Sequence, residues 1–235
     1  ETSSLLTKEV FIYLGIIASC VILYFIHGFI SMIVFIAISS YHFGEEHFSD
    51  DIRINFYFDT IYYSSYGLLI FSLIFINAVE GVSEVMHQLV GATFTIDQIE
   101  TVLYTSLIIF FVLSIYVMIK QKQSYLDFGR EIFYLMLLFL VFKTTSLVLG
   151  FAIYFIFWHS LPSIIHQVLF ISGDFSKKSV TNYVKKAMLN WVISIIGLFL
   201  TYWFFPNLET FASVVFILLF AVPAPHMWVM HKMKN

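Results

Sequence analysis

Between Val10 and Ser40 only Ser, Gly and one His interrupt the apolar side chains, and the run then ends in the heptapeptide Tyr41-His42-Phe43-Gly44-Glu45-Glu46-His47. Long apolar stretches broken by short charged ones continue to the C-terminus. A helix rises ~1.5 Å per residue and a bilayer core is ~30 Å thick, so about 20 apolar residues make one crossing. On that measure the chain predicts eight spans, at about 10–26, 27–43, 54–77, 99–119, 131–142, 146–171, 183–204 and 210–231. As single helices, residues 10–41 would be roughly 48 Å long and 131–171 roughly 60 Å. Both therefore fold back, with pivots at His27-Gly28 and at Lys143-Thr144-Thr145-Ser146. The partly apolar stretch 79–97 reads as an interfacial or re-entrant segment.

Charge tests this count independently, because cytoplasmic loops hold an excess of Lys and Arg. Eight spans put Lys8, Arg53, Lys120, Lys122, Arg130, Lys177, Lys178, Lys185, Lys186, Lys232 and Lys234 on one face, eleven of the twelve basic residues, and leave only Lys143 opposite. One unbroken crossing over 131–171 would instead separate the basic loops at 120–130 and 173–186. The expected fold is all-α, a polytopic transmembrane helix bundle forming one domain over 1–235, in the cell's inner (plasma) membrane, with both ends of this chain cytoplasmic.

Composition agrees: 60% of the 235 residues are hydrophobic and 11% charged, against roughly 25% charged in soluble domains. The one cysteine, Cys20, lies inside an apolar run, which excludes a disulfide framework and makes a thiolate metal site unexpected. No basic, cleavable leader precedes Val10, and nothing suggests a nucleic-acid partner.

Candidate chemistry lies in the eight histidines, since an ionisable group at membrane depth costs ~2.5–3.5 kcal/mol and is kept for a reason. His42 sits just inside an apolar run, with Glu46 at i+4 on the same helical face. A carboxylate so placed orients a metal-binding imidazole; the alternative is a helix end surfacing into water, which also covers Glu45 and His47. His159 lies mid-span in Trp158-His159-Ser160-Leu161-Pro162, and His166 follows at i+7. Pro162 lacks the N–H that would bond the Trp158 carbonyl, so a kink is expected between the two histidines. His226 follows two prolines in Val222-Pro223-Ala224-Pro225-His226. Each of these three also reads as a packing histidine with an interhelical hydrogen bond. His27 and His87 read as turn and interfacial residues, and His231, beside Lys232, as solvated. Together, His42, His159, His166 and His226 come from three spans in the same half of the membrane, and such a set suits Fe, Zn, Cu or Ni. Most of the 28 Phe, 14 Tyr and 4 Trp suit interfacial belts and lipid-facing surface. Tyr41, Tyr154, Phe155, Phe157 and Trp158 adjoin the histidines and are candidates to line an apolar ligand.

Three blocks, Ser39-Ser40-Tyr41-His42-Phe43-Gly44-Glu45-Glu46-His47-Phe48, then residues 150–167, then Val222 to His231, resemble in order and spacing the Brp/Blh family of bacterial integral-membrane beta-carotene 15,15′-dioxygenases. The resemblance covers nearly the whole chain. It implies a non-haem Fe(2+) held by histidines, and O2-dependent cleavage of the central double bond of beta-carotene to two retinal molecules. His42, His159 and His226 match family histidines, with Glu46 and His47 supporting them. A retinal-accepting rhodopsin is the partner that product would suit. The family's first span carries a His-Gly-Ala-x-Asp-like motif absent here, so the resemblance implies a further span before Glu1. Many members also have a histidine where this chain has Ser163, and His166 stands close enough in sequence to replace it. Two alternatives stay open on the residues alone: a haem-binding membrane electron carrier, or a transporter with a histidine proton relay. A di-iron desaturase is disfavoured, because its His-x-x-x-His and His-x-x-His-His boxes are absent.

Overall fold

A computed structural model describes residues 2–121, 125–205, 214, 217–218, 220–221 and 223–234, and among them every regular element is helical. The helices are α1 (Thr2–Ile26), α2 (Gly28–Phe48), α3 (Phe56–Ile76), α4 (Val79–Val90), α5 (Ile96–Gln121), α6 (Tyr125–Thr144) and α7 (Leu147–Ile153). A π-helical segment (Tyr154–Ser160) follows, then α8 (Leu161–Ser172), α9 (Lys177–Phe204) and α10 (Pro223–Lys234).

Six stretches among the described residues are long and apolar enough to cross a membrane: Lys8–Ile26, Gly28–Phe48, Phe56–Ile76, Ile96–Lys120, Leu147–Ser172 and Lys177–Phe204. They match six of the eight expected spans. For 131–142 the structure has α6, whose apolar centre is flanked by Asp127, Arg130 and Glu131 at one end and Lys143 at the other. Much of the span expected at 210–231 lies outside the described residues. The 12-residue α4 is roughly 18 Å long, too short to cross, in keeping with its interfacial reading. It ends at Gly91, whose φ of 68° is the left-handed conformation of a glycine helix cap.

The chain divides into two compact units, Met32–His87 with Ala92–Leu161, and Glu1–Ser31 with Gln88–Gly91 and Pro162–Asn235. In the first, α3 is the centre. Tyr62, Tyr63, Tyr66, Leu69, Ile70, Phe71, Leu73 and Ile74 are all buried there, in one core with Phe43 of α2, Phe110 and Val117 of α5, Leu138 and Phe142 of α6, and Tyr154. Two glycines let α2 and α3 touch backbone to backbone. A Cβ on Gly67 would stand 2.0 Å from the Ser40 carbonyl oxygen, and one on Gly44 2.1 Å from that of Tyr63. Asn55 starts α3 by accepting the Phe58 N–H at 3.0 Å, and the Tyr63 hydroxyl donates to the Ile52 carbonyl, tying down the preceding loop. The expected pivot between α6 and α7 falls at Thr145-Ser146, where Ser146 caps α7.

In the second unit α1 packs against α10, and the Tyr24 hydroxyl donates to the Leu89 carbonyl at 3.2 Å. Helix α1 ends one residue before α2, at the expected His27; the His27 N–H donates to Leu23 at 2.8 Å and the Ser31 N–H to His27 at 3.0 Å. Helix α9 has no buried residue and is apolar on every side beyond its first turns. A helix of that kind outside a protein core is solvated by lipid. Its polar start is capped by Ser176, and Asp174 is held below the usual carboxylate range chiefly by the Ser179 hydroxyl.

Candidate metal and substrate site

The structure brings together two of the four expected metal ligands. His42, on the last turns of α2, is 3% exposed, and His159, on the π-helical segment, is 7% exposed. Their rings meet edge to face with centroids 5.1 Å apart. Phe43 packs 5.0 Å from the His159 ring and Phe155 4.9 Å from it, so His159 is held in an aromatic socket. The π-helical turn puts it there: the Leu161 N–H reaches back five residues to the Ile156 carbonyl. A π turn widens the helix by one residue, and it falls just before Pro162.

Glu45, at i+3, stands beside His42, with Oε2 3.9 Å from Nδ1. Glu45 is held by the Tyr41 hydroxyl, which donates to its Oε1 at 2.9 Å. Glu46, expected in that role, is buried on the same helix. His47, expected to support the same site, engages a different group, with Nε2 2.7 Å from Oε2 of Glu131 on α6 and its ring stacked on Tyr66 at 4.9 Å.

His166 and His226 are half-buried residues of the other unit. Within that unit the Gln167 side chain donates to Ser163 at 3.3 Å and the Tyr183 hydroxyl to Gln167 at 2.8 Å. Ser163 is the end of a hydrogen-bonded chain joining α8 to α9. Among the described residues no group of three or more His, Cys, Asp or Glu stands in metal-holding geometry.

Of the five aromatic residues expected along a substrate, Tyr154 is buried against Phe43 at 5.3 Å, Phe155 touches His159, and Tyr41 holds Glu45. Trp158 packs edge-on to Tyr134 at 6.2 Å. Phe157 is 58% exposed and belongs to the outer surface instead. Phe43, Glu45 and Glu131 were not singled out in the sequence; Phe43 lies between two motif residues, which was the available signal.

The fold and this site define a polytopic helical membrane protein with a buried imidazole pair between its helices. The chain matches the family model of beta-carotene 15,15'-dioxygenase over residues 2–234, and it belongs to that family. No curated protein and no solved structure matches it.

Proposed function

We propose that this chain cleaves the central double bond of beta-carotene with O2, giving two molecules of retinal. What carries the reading is the buried His42–His159 pair in a chain that matches the dioxygenase family from end to end.

The donor set fits iron: the pair offers imidazole nitrogens, and Cys20, the sole cysteine, lies on α1, so no thiolate competes. His42 and His159 would hold Fe(2+), and that ion, when bound, supplies the activation of O2. The protein's own part is positioning and exclusion of water. Glu45, anchored by Tyr41, stands 3.9 Å from the His42 ring as its nearby negative charge, and Glu46 lies buried on the same turn. Phe43 and Phe155 hold His159 in one plane and keep water from it. Tyr41, Tyr154, Phe155 and Trp158 offer apolar faces to a polyene arriving from the bilayer. The excess of basic residues on one side supports a cytoplasmic placement of both ends of this chain, and a plasma membrane is the membrane proposed.

Expression in cells that accumulate beta-carotene tests the reading. Orange cells should lose colour and gain retinal; colour retained at full expression, with no retinal, would contradict it.

A further inference from the structure

We infer that Glu131 is a positioning residue for carotene cleavage: through its bond to His47 it holds α2 in register with the helix that braces His159, and so sets the approach of His42 to His159. Glu131 has this role only if the histidine pair is the centre of the reaction proposed above.

Glu131 lies near the start of α6, its side chain 12% exposed. A carboxylate so far withdrawn from water in so apolar a chain is costly unless both oxygens are engaged. Here both are: Oε2 meets His47 Nε2 at 2.7 Å and Oε1 lies 3.6 Å from Arg130 Nε. The His47 ring is fixed in turn, parallel to Tyr66 within 8° and edge-on to Phe48 at 4.5 Å. His47 is five residues beyond His42 on one unbroken helix, about 7.5 Å along its axis, so anchoring one fixes the rotation of the other.

The same α6 braces the second histidine. Tyr134, one turn beyond Glu131, meets Trp158 edge-on at 6.2 Å, and Phe142 meets Tyr154 at 6.5 Å. Trp158 and Tyr154 flank His159 on the π-helical segment. Helix α6 thus touches both histidine-bearing elements, by apolar rings on one side and by the Glu131–His47 bond on the other. Close packing does not replace that bond, because His47, Glu131, Arg130, Asp127, Asp51 and Tyr62 border a cavity of about 190 Å³. Without the bond the end of α2 has room to shift.

Two substitutions test this. Glu131→Leu removes the acceptor, while Glu131→Gln keeps an oxygen there. His47→Phe keeps the stack on Tyr66 and removes the bond, so it serves if Glu131→Leu does not fold. Glu131→Leu and His47→Phe should each lower kcat per folded chain by about 10–100-fold with KM changed less than about twofold, the signature of misplaced rather than missing groups. Glu131→Gln should recover most of the loss. The double variant should be no slower than the worse single, because both remove one interaction. Co(II) titrated alone into metal-free protein gives a readout independent of turnover: its visible absorption bands should move in Glu131→Leu and stay at the wild-type position in Glu131→Gln. Wild-type kcat in both Glu131→Leu and His47→Phe would overturn the inference. So would additive losses in the double variant, equal losses in Glu131→Gln and Glu131→Leu, or an unmoved Co(II) spectrum. In each of those cases an active wild type leaves the cleavage reading standing, whereas a wild type that makes no retinal removes both.

Discussion

The rings of His42 and His159 meet edge to face, 5.1 Å between centroids and 77° between planes, although 117 residues separate them in sequence. Two imidazoles that act on one centre fail together. His42→Ala and His159→Ala should each cut retinal formation by about 100-fold or more, and the double variant should be no worse than either. Turnover per folded chain checks this; independent, multiplying losses would mean that the two rings serve different tasks.

The backbone contact between α2 and α3 sets the stage for that pair. Gly67→Ala places a methyl 2.0 Å from the Ser40 carbonyl oxygen, and only separation of the helices relieves it. Overpacking of this kind costs ~1–3 kcal/mol, so the thermal midpoint in detergent should fall and activity with it. Gly15→Ala, where nothing lies within 4 Å, should leave the midpoint unchanged or raise it.

The π-helical turn depends on the proline that follows it. Pro162→Ala restores a donor N–H, and regular α-helical bonding can then displace the Leu161-to-Ile156 bond. His159 would turn out of the socket made by Phe43 and Phe155. Retinal formation should drop about tenfold or more at unchanged folded yield, measured per chain after size-exclusion chromatography; full activity would show that the π turn does not place the ring.

The helix breaks were legible because they follow from length. An apolar run longer than the bilayer is thick must be interrupted somewhere, and His27-Gly28 and Lys143-Thr144-Thr145-Ser146 were the weakest points. The convergence of His42 with His159 was legible as well, since both stand where an imidazole is expensive and lie in the same half of the membrane. The π turn was not, because one extra residue per turn leaves no trace in composition; Pro162 signalled only that regular bonding would fail. Nor was the His47–Glu131 pair, whose members lie 84 residues apart; His47 read as part of a helix end surfacing into water. Phe157 was drawn in by its neighbours in sequence, but on a helix adjacent residues face about 100° apart.

Topology offers a prediction from charge alone. With eleven basic residues assigned to one face, a reporter fused after Lys186 should be read in the cytoplasm and one fused after Asn207 on the opposite side. The same location at both points would contradict the arrangement of spans around α9.

Product stoichiometry tests the central claim most directly. Purified protein supplied with iron, beta-carotene and O2 should release two retinal molecules for each carotene consumed, with no longer or shorter apocarotenal, and should stop when O2 is withdrawn. Fragments of unequal length, or carotene left intact by folded, metal-loaded protein, would contradict the assignment of His42 and His159 to central cleavage.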